Sequence, residues 1–422
     1  MILNFGFGAG SQQVQVPERN LLAILNANEV TVNLTGQAEV CRALDMPIGA
    51  PAITEVVHPG EKIAIITSDI TRPCPTREIL PPLLDRLYAA GIRREDITLV
   101  FALGSHRPHT PEEMQRLAGE QAWQQIRCVD SNPDDCIHMG VTSRGTPVDI
   151  TRVVAQADRR ICLGNIEYHY FAGFSGGAKA IMPGVSTRQA IQANHSMMIH
   201  PNAYAGKLEG NPLREDIEEA GNICGIDYIV NVVLDEHKKI IHAVAGDVTL
   251  AHRAGCRFLD QLYRKELQQK ADIVLVSQGG APKDLNLYQL QKALDNAWQA
   301  VRPGGIVILV GACPEGCGEA VFQQWMTGAA TPQDILTRIR TDFCIGGHKA
   351  AAFAKVLDMA QIFLVSEMDP ELVRACFLQP FAQVQDALNE AMKQLGPNAS
   401  VLLMPYGGST LPCVKKETNH HA

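Results

Sequence analysis

The chain has 422 residues, of which 46% are hydrophobic and 19% charged, a composition typical of a folded protein with two or three domains. The net charge of −8 argues against a nucleic-acid surface, because phosphate binding favours clustered Lys and Arg. No long apolar window predicts a membrane span, the N-terminus does not resemble a secretory signal, and scattered cysteines favour free thiols in a reducing cytoplasm.

Short apolar runs, each followed by turn residues and a helical pattern, recur along the chain and predict an α/β architecture. In the first half, strands are predicted at 62–67, 97–103 and 160–164, and a hairpin at 227–234 and 240–244. One helix is predicted to begin near Pro75, and another begins where Thr110 caps the chain ahead of Pro111. A long helix over 250–269 would link this region to the next.

The same alternation begins again in the second half. Strands are predicted at 272–277, 305–310, 362–365 and 400–404, with helices from Leu287 and over 384–395. We therefore expect two α/β domains with mostly parallel sheets and an active site in the interdomain cleft. The expected boundaries are 1–268 for the N-terminal domain, 269–397 for the C-terminal domain, and 398–422 for a tail that returns to the N-terminal domain.

Polar side chains follow the predicted strands of the first domain. Asp69 and Arg72 follow the first strand, His106 follows the second, and His169 follows the third. Ligands of open α/β sheets bind beyond the carboxyl ends of the strands, so these residues are expected to share one site. Arginine there suits a carboxylate or phosphate, and histidine suits general acid–base work. The alternatives are a surface arginine and a capping loop, and a capping role is favoured for His109.

The segment 166–195 concentrates residues with chemical potential. A glycine run that includes Gly176 and Gly177 leads into Lys179, and His195 follows a helical pattern. Glycine lets the backbone approach a ligand closely, and burial lowers the pKa of a lysine so that its neutral amine becomes a nucleophile. The run matches neither the G-x-x-x-x-G-K-[ST] phosphate loop nor the dinucleotide fingerprint. We interpret it as an anion cradle with a reactive lysine; a core or capping position is the alternative for His195.

A further candidate group lies at the start of the helix predicted from Leu287. Tyr288 and Gln289 are followed by Lys292, so Gln289 and Lys292 share one helical face. Amide and ammonium groups in this arrangement can hold a substrate oxyanion or carboxylate. Without the other motifs, an exposed helix face is the simpler interpretation.

Taken together, these motifs resemble those of the lactate racemase family, the nickel-pincer-dependent 2-hydroxyacid racemases and epimerases. SDITRP, GSHRP, YHYFAGFSGGAKAIMPG, the following NH, and LYQLQK occur in the family's order and near its spacing over most of the chain. The resemblance implies an isomerase that inverts C2 of a 2-hydroxy acid by reversible hydride transfer. The implied cofactor is the nickel-pincer nucleotide, pyridinium-3,5-bisthiocarboxylic acid mononucleotide, whose two sulfur-containing arms bind nickel (Ni).

The resemblance also implies a role for each matching residue. The residue implied to bind the cofactor covalently, through a thioamide link, is Lys179. Asp69 matches a site residue of the family, and it is expected at the cofactor together with Gly176 and Gly177. The implied nickel ligand is His195. The implied acid–base pair is His106 and His169, two histidines because the two stereoisomers present their hydroxyls on opposite sides. The residues implied to bind or orient the substrate are Arg72, Gln289 and Lys292, with Tyr288 beside them. His348 does not match the family, and it is expected to bind substrate because of its position in the second domain.

One region departs from the family pattern. Members that act on lactate carry a bulky tryptophan in the second domain, where this chain reads Ile345-Gly346-Gly347-His348-Lys349. A polar, basic pair in place of an apolar wall suits a larger or more polar 2-hydroxy acid, such as a malate-like or sugar acid. The expected partners are this small molecule and proteins that synthesise the cofactor, with no nucleic acid and no membrane.

Two other functions fit the same residues. Lys179 could form a Schiff base in a lyase or aldolase that uses no metal. Alternatively, the chain could be a carrier that stores the nickel cofactor without turning over a substrate. The presence of both His106 and His169 argues against a simple carrier.

Overall fold

A computed structural model describes residues 1–235, 237–344 and 346–414. The chain forms two compact units. The central unit is Val30–Gln261, and the terminal unit combines Met1–Glu29 with the chain from Leu262 onward. The predicted α/β class is confirmed, because both units contain a large, mostly parallel sheet with helices between the strands.

The strands of the described residues are β1 Ile2–Phe7, β2 Gly10–Gln15, β3 Leu21–Ile24, β4 Ile63–Ser68, β5 Ile97–Ala102, β6 Arg127–Asp130, β7 Cys136–Val141, β8 Pro147–Thr151, β9 Arg159–Asn165, β10 Tyr168–His169, β11 Gly173–Phe174, β12 Tyr228–Leu234, β13 Ile240–Gly246, β14 Arg264–Leu267, β15 Ala271–Ser277, β16 Val301–Val310, β17 Gln361–Val365, β18 Gln379–Phe381, β19 Val401–Met404 and β20 Leu411–Val414. The α-helices are α1 Gln37–Asp45, α2 Ile53–Val56, α3 Thr76–Ala89, α4 Pro111–Ala118, α5 Glu120–Gln125, α6 Arg152–Ala155, α7 Arg188–His195, α8 Pro212–Cys224, α9 Leu250–Tyr263, α10 Leu287–Ala297, α11 Ala320–Gly328, α12 Pro332–Arg338, α13 Gly347–Leu357, α14 Pro370–Ala375 and α15 Val384–Leu395.

The central unit is built on a sheet with strand order β13-β12-β9-β4-β5-β6. Its pairs are parallel except for β12 and β13, which form the predicted antiparallel hairpin. The inner strands are continuous apolar runs, as parallel strands covered on both faces require. Their side chains pack with those of α1 and α3 in one buried core. The carboxyl ends of β4, β5 and β9 therefore open into the loops that carry Asp69, His106 and His169.

The terminal unit is built on a parallel sheet with strand order β18-β17-β16-β15-β19-β3. Strands β15, β16 and β17 correspond to predicted apolar runs, and α15 has the bounds predicted for it. The apolar face of α15 packs with this sheet and with the β1–β2 hairpin in a second core. Helix α10 follows β15, so its first turn lies beyond the carboxyl end of a central strand.

The expected course of the two chain ends is wrong. Strand β19, in the tail expected to return to the N-terminal domain, instead pairs in parallel with β15 and β3 of the terminal unit. An apolar strand buries best between two others, and α15 supplies the crossover that brings it back to the same sheet. The N-terminal segment therefore completes the C-terminal sheet rather than its own. The rest of that expected tail, 415–422, lies outside the described residues.

The predicted linking helix is also shorter than expected. Helix α9 ends at Tyr263, and Arg264–Leu267 continues as β14, which pairs in parallel with β20. Within the described residues, no helix combines the length and apolar character that a bilayer crossing requires. The twelve cysteines are free thiols, as expected, and most of them are buried.

Candidate active site

Two loops beyond β4 and β5 bring Asp69 and His106 together. Nδ1 of His106 donates to Oδ2 of Asp69 at 2.6 Å, and the Thr71 hydroxyl donates to Oδ1 at 2.8 Å. Burial alone would raise the pKa of Asp69, but these hydrogen bonds and the nearby charge of Arg72 lower it below its usual value. Because the charged carboxylate holds the proton on Nδ1, neutral His106 has its lone pair on Nε2. The imidazole is 33% exposed, so Nε2 can serve as a base.

The second histidine of this loop, His109, has a structural role. Its side chain is fully buried, its Nδ1 donates to Asp130 at 2.6 Å, and its Nε2 accepts from the backbone N–H of Ile70 at 3.0 Å. Both ring nitrogens are therefore used to fasten the loop that carries Asp69. This agrees with the capping role favoured for His109.

His169 lies in a small hairpin formed by β10 and β11. Gly173, paired with it, has φ +76°, and a Cβ there would lie 2.1 Å from the carbonyl oxygen of Lys207. Only glycine permits this close approach. Nδ1 of His169 accepts from the backbone N–H of Ala172 at 3.3 Å, so the neutral ring carries its proton on Nε2. Nε2 of neutral His169 is thus a hydrogen-bond donor, whereas Nε2 of neutral His106 is an acceptor.

The ring of Phe171 connects three of the predicted residues. Its centroid is 4.5 Å from that of His169 and 4.9 Å from that of His195. The ammonium of Lys179 lies 5.6 Å from the same ring. Sequence reasoning assigned Phe171 no role, although it stands inside the most specific motif. Its buried ring explains how residues 26 positions apart in the chain become neighbours.

Lys179 is the most perturbed lysine of the central unit. It lies in a 3₁₀ turn, Gly177–Ala180, and its side chain is half-buried. Its pKa is lowered well below the usual lysine value, first by loss of solvation and then by the charges of Arg72 and Arg214, while Glu167 opposes the shift. The lowered pKa favours the neutral, nucleophilic amine that the sequence predicted. Arg72 therefore lies within electrostatic reach of Lys179.

The glycines before Lys179 are required by internal packing. Gly176 has φ +77°, and a Cβ there would lie 2.7 Å from Oδ1 of Asn231. The backbone N–H of Gly177 donates to the same oxygen at 2.7 Å. The expectation that these N–H groups cradle an anion is wrong for Gly177, because its donor is already used. The glycines instead let the turn lie against Asn231 and Arg214.

His195 ends α7, where a hydrogen-bond network fixes its tautomer. The amide nitrogen of buried Asn194 donates to Asp216 at 2.7 Å and to the Leu213 carbonyl at 3.2 Å. Its oxygen therefore faces Nδ1 of His195, at 3.0 Å, and accepts the proton there. The ring lone pair is left on Nε2. A fixed N–H on the far ring nitrogen is the arrangement that orients metal-binding histidines.

The terminal unit holds the second set of candidates on α10. Asn286 caps this helix by accepting from the backbone N–H of Gln289 at 3.0 Å. Gln289 and Lys292 are exposed, whereas Tyr288 is half-buried. The Tyr288 ring lies edge-on to His348, with 6.4 Å between the centroids. The predicted substrate residues of this unit thus form one group, here called the α10 cluster, made of Tyr288, Gln289, Lys292 and His348.

The side chain of Lys349 packs against helix α10, although its sequence position suggested a place in the wall of the substrate site. Its side chain is buried, with 8% of the residue exposed. Its ammonium donates to the backbone carbonyl of Tyr288 at 2.7 Å and lies 3.8 Å from the Tyr288 ring centroid. In the segment that differs from the family pattern, 345–349, His348 is therefore the remaining candidate for a contact with substrate. Ile345 lies outside the described residues.

A buried network below the glycine turn escaped sequence reasoning. Arg214, 1% exposed, donates to Glu218 at 2.6 Å and to the Phe174 carbonyl at 3.3 Å. His252 lies beside it and donates to the carbonyl of Ser175 at 2.8 Å. These residues lie on α8 and α9, far from any motif, and only the fold brings them under the turn. Among the described residues, no group of three or more His, Cys, Asp or Glu side chains is placed to hold a metal ion.

Models of known protein families match both parts of the chain. The lactate racemase N-terminal domain matches residues 7–206, and the lactate racemase C-terminal domain matches residues 267–411. A lactate racemase of Thermoanaerobacterium thermosaccharolyticum is 32% identical over 417 residues, which are 96% of this chain and 97% of that protein. A lactate racemase of Lactiplantibacillus plantarum is 32% identical over 405 residues, which are 93% of this chain and 95% of that protein.

Solved structures show the same fold. The lactate racemase apoprotein from Thermoanaerobacterium thermosaccharolyticum aligns with a TM-score of 0.89 and 31% identity, over 99% of this chain and 100% of that chain. A protein from Thermotoga maritima aligns with a TM-score of 0.62 over 91% of this chain and 100% of that chain. Its identity of 17% supports a shared fold alone.

Proposed function

The chain belongs to the lactate racemase family of isomerases, and from this premise we propose that it racemises or epimerises a 2-hydroxy acid at C2 by reversible hydride transfer. The observation that carries the proposal is the half-buried Lys179, whose pKa is strongly lowered, within reach of Arg72 and beside the Phe171 ring that also contacts His169 and His195. One residue able to form a covalent bond, one able to bind a metal and one able to move a proton thus share a small space.

The residues of the central unit fit the nickel-pincer nucleotide. The neutral amine of Lys179 suits a thioamide link, and Nε2 of His195 suits a metal that takes soft sulfur ligands and one imidazole, such as Ni(II). Gly176 and Gly177 let the turn bearing Lys179 lie flat against Asn231. When bound, this cofactor would supply a ring carbon that accepts a hydride and returns it. Proteins that synthesise the cofactor are then needed before the enzyme can act.

The protein's own groups would bind the acid and move its proton. Arg72 would pair with the substrate carboxylate, and Gln289 and Lys292 would hold its oxygens. Nε2 of His106 would take the hydroxyl proton from one stereoisomer, with Asp69 stabilising the imidazolium that forms. His169 in its imidazolium form would give its Nε2 proton to the oxygen of the inverted product and be left as a neutral ring. The hydrogen bond to Asp69 supports the role of His106, because it leaves the ring lone pair on Nε2.

The polar residue His348 supports a substrate more polar than lactate. A site that hydrogen-bonds a second carboxylate or extra hydroxyls disfavours substrates that lack them, because its donors are then left unpaired. We therefore expect malate-like or sugar acids to exceed lactate in kcat/KM. A panel of enantiopure 2-hydroxy acids, each assayed for loss of stereochemical purity, tests this. Lactate as the best substrate would show that His348 does not set the preference.

The covalent link has its own test. The protein is purified from a host that makes the cofactor, and its intact mass, nickel content and peptide map are compared with those of Lys179→Arg. The proposal expects nickel and a mass increase on the peptide containing Lys179, and neither in the variant. Active, nickel-containing protein with an unmodified Lys179 would remove the thioamide link from the proposal.

A second candidate function, a Schiff-base lyase or aldolase, is favoured by the same lowered pKa of Lys179. Such an enzyme needs neither nickel nor nucleotide. Carbon–carbon cleavage of a hydroxy-keto acid by cofactor-free protein, lost in Lys179→Arg, would establish it. Dependence of all turnover on the loaded cofactor would exclude it, and turnover itself would exclude a simple carrier.

A further inference from the structure

Lys349 occupies an electrostatically unfavourable place in the terminal unit. It lies in the first turn of α13, and its ammonium touches the first turn of α10 through the Tyr288 carbonyl. The N-terminal ends of helices carry partial positive charge, which disfavours a nearby cation. Burial of an ammonium adds a further cost. Residues that break such local rules are found chiefly where function requires them.

The backbone before Lys349 fixes its position closely. Gly346 has φ +91°, and a Cβ there would lie 2.1 Å from Oε2 of Glu319, the residue that caps α11. A Cβ on Gly347 would lie 2.8 Å from the Trp325 ring of α11. Two glycines therefore let the start of α13 press against α11. This packing fixes the backbone position of Lys349, from which its side chain reaches Tyr288 with little conformational freedom.

The contact joins Lys349 to three members of the α10 cluster. The carbonyl of Tyr288 is also the helical acceptor for the backbone N–H of Lys292, four residues later. One oxygen thus receives the helix bond of Lys292 and a charge-assisted bond from Lys349, which is stronger than a neutral one. The same ammonium lies over the Tyr288 ring at 3.8 Å, within the range of a cation–π contact. Gln289 lies between these two anchored residues.

We propose that Lys349 is a positioning residue that fixes the first turn of α10, and with it Tyr288, Gln289 and Lys292, for substrate. It acts through Tyr288 and does not touch the substrate itself. This inference rests on the proposed function for its kinetic consequence, because those three residues must meet the substrate. The contact between Lys349 and Tyr288 can be tested without cofactor or substrate.

A matched control lies on the same helix. Lys355 is half-buried on α13, and its ammonium lies 5.2 Å from the Trp298 ring. It neighbours Asp295, whose pKa is raised by burial to about 8. Lys355→Met therefore leaves no charged buried carboxylate at neutral pH. The two Lys→Met variants remove the same side chain from one helix, and only Lys349→Met removes a contact with Tyr288.

The first measurement is amide hydrogen exchange on the cofactor-free full chain. In Lys349→Met, exchange of the amides in the first turn of α10 should rise about tenfold, as expected for loss of a charge-assisted hydrogen bond. Lys349→Arg, which keeps a cation and donors, should restore most of the protection. Lys355→Met should leave these amides unchanged. Equal protection in wild type and Lys349→Met would overturn the inference, as would equal loss in Lys355→Met.

The second measurement is the kinetics of the loaded enzyme. A misplaced first turn should lower kcat/KM by up to about a hundredfold in Lys349→Met, with a raised KM, and Lys349→Arg should recover most of it. A change below threefold in Lys349→Met would overturn the positioning role. If wild type shows no racemisation at all, the proposed function fails, and hydrogen exchange alone decides whether Lys349 fixes α10. If Lys349→Met does not fold, Lys349→Gln compared with Lys349→Arg gives the same test.

Discussion

The two groups of candidate residues differ in how they are held. In the central unit, Asp69, Lys179 and the three candidate histidines are partly or wholly removed from water, and Arg72 is exposed. The tautomers of His106, His169 and His195 are fixed by hydrogen bonds. In the α10 cluster, Gln289 and Lys292 are exposed on one helix. Groups that exchange protons or form covalent bonds need a tuned pKa and a fixed geometry. Groups that only recognise a substrate can remain solvated until it binds.

Lys179 should give the largest effect, because no other group replaces its amine. We expect Lys179→Arg to lower kcat/KM by at least about a thousandfold while the fold is kept, as loss of a covalent anchor implies. Racemisation assays on protein from a cofactor-producing host measure this, and circular dichroism checks the fold. Activity within tenfold of wild type would contradict the view that the central unit carries the chemistry and the α10 cluster only recognises the substrate.

The two histidines of the central unit should follow. His106→Ala and His169→Ala should each lower net racemisation by roughly a hundredfold to ten-thousandfold, the usual contribution of a general acid or base. A matched control is His138→Ala, because His138 also donates from Nδ1 to a carboxylate, Asp149, at 2.7 Å, but is 61% exposed. The control should leave racemisation unchanged. Near-normal racemisation in either of the first two variants would defeat the two-histidine scheme.

The α10 cluster should be more tolerant. Gln289→Ala and Lys292→Ala should each lower kcat/KM by about tenfold, as expected for loss of one solvated hydrogen bond to substrate. Initial-rate kinetics over a range of substrate concentrations separates KM from kcat. If these losses equalled those of His106→Ala or His169→Ala, the contrast between recognition and chemistry would not hold.

Burial of Lys179 has a consequence for stability. Its pKa in the folded state is lowered, so between that value and the usual lysine pKa the unfolded chain binds more protons than the folded one. Stability should therefore rise with pH through this window, and the penalty is fully present below the folded-state pKa. Lys179→Met should raise the Tm of the cofactor-free protein at neutral pH by a few degrees and remove this pH dependence. A lower Tm in the variant would mean that Lys179 is stabilised by contacts that outweigh its desolvation.

The last prediction concerns substrate preference rather than overall rate. His348→Trp should shift the ratio of kcat/KM values toward small apolar 2-hydroxy acids by about tenfold, the scale of discrimination between apolar groups. The same substrate panel measures it. An unchanged ratio would mean that His348 faces away from the substrate.

Much of the fold could be predicted because each central strand is a strong apolar run bounded by turns. The chain ends were misjudged, because β3 and β19 are short strands whose partners are far apart in sequence. Nothing in the local pattern of β19 says which sheet will bury it. Tertiary packing decides which sheet a strand joins, and the hydrophobic pattern of the strand alone does not reveal that packing.

The residues of the candidate site also fall into those that the sequence identifies and those that it does not. Residues within contiguous motifs, such as Lys179 and His195, could be identified from sequence, and the structure places both beside Phe171. Arg214 could not be identified, because it acts on Lys179 from a separate helix with no motif of its own. The contact of Lys349 with Tyr288 could not be predicted, because sequence position does not reveal which way a long side chain turns.

The most direct test of the account follows the hydrogen on C2. An enantiopure 2-hydroxy acid is incubated with the loaded enzyme in deuterated water, and both stereochemical purity and deuterium content at C2 are measured. Reversible hydride transfer predicts that purity is lost while C2 keeps its original hydrogen. Deuterium at C2 in the inverted product would show that the hydrogen leaves as a proton, which would contradict the account.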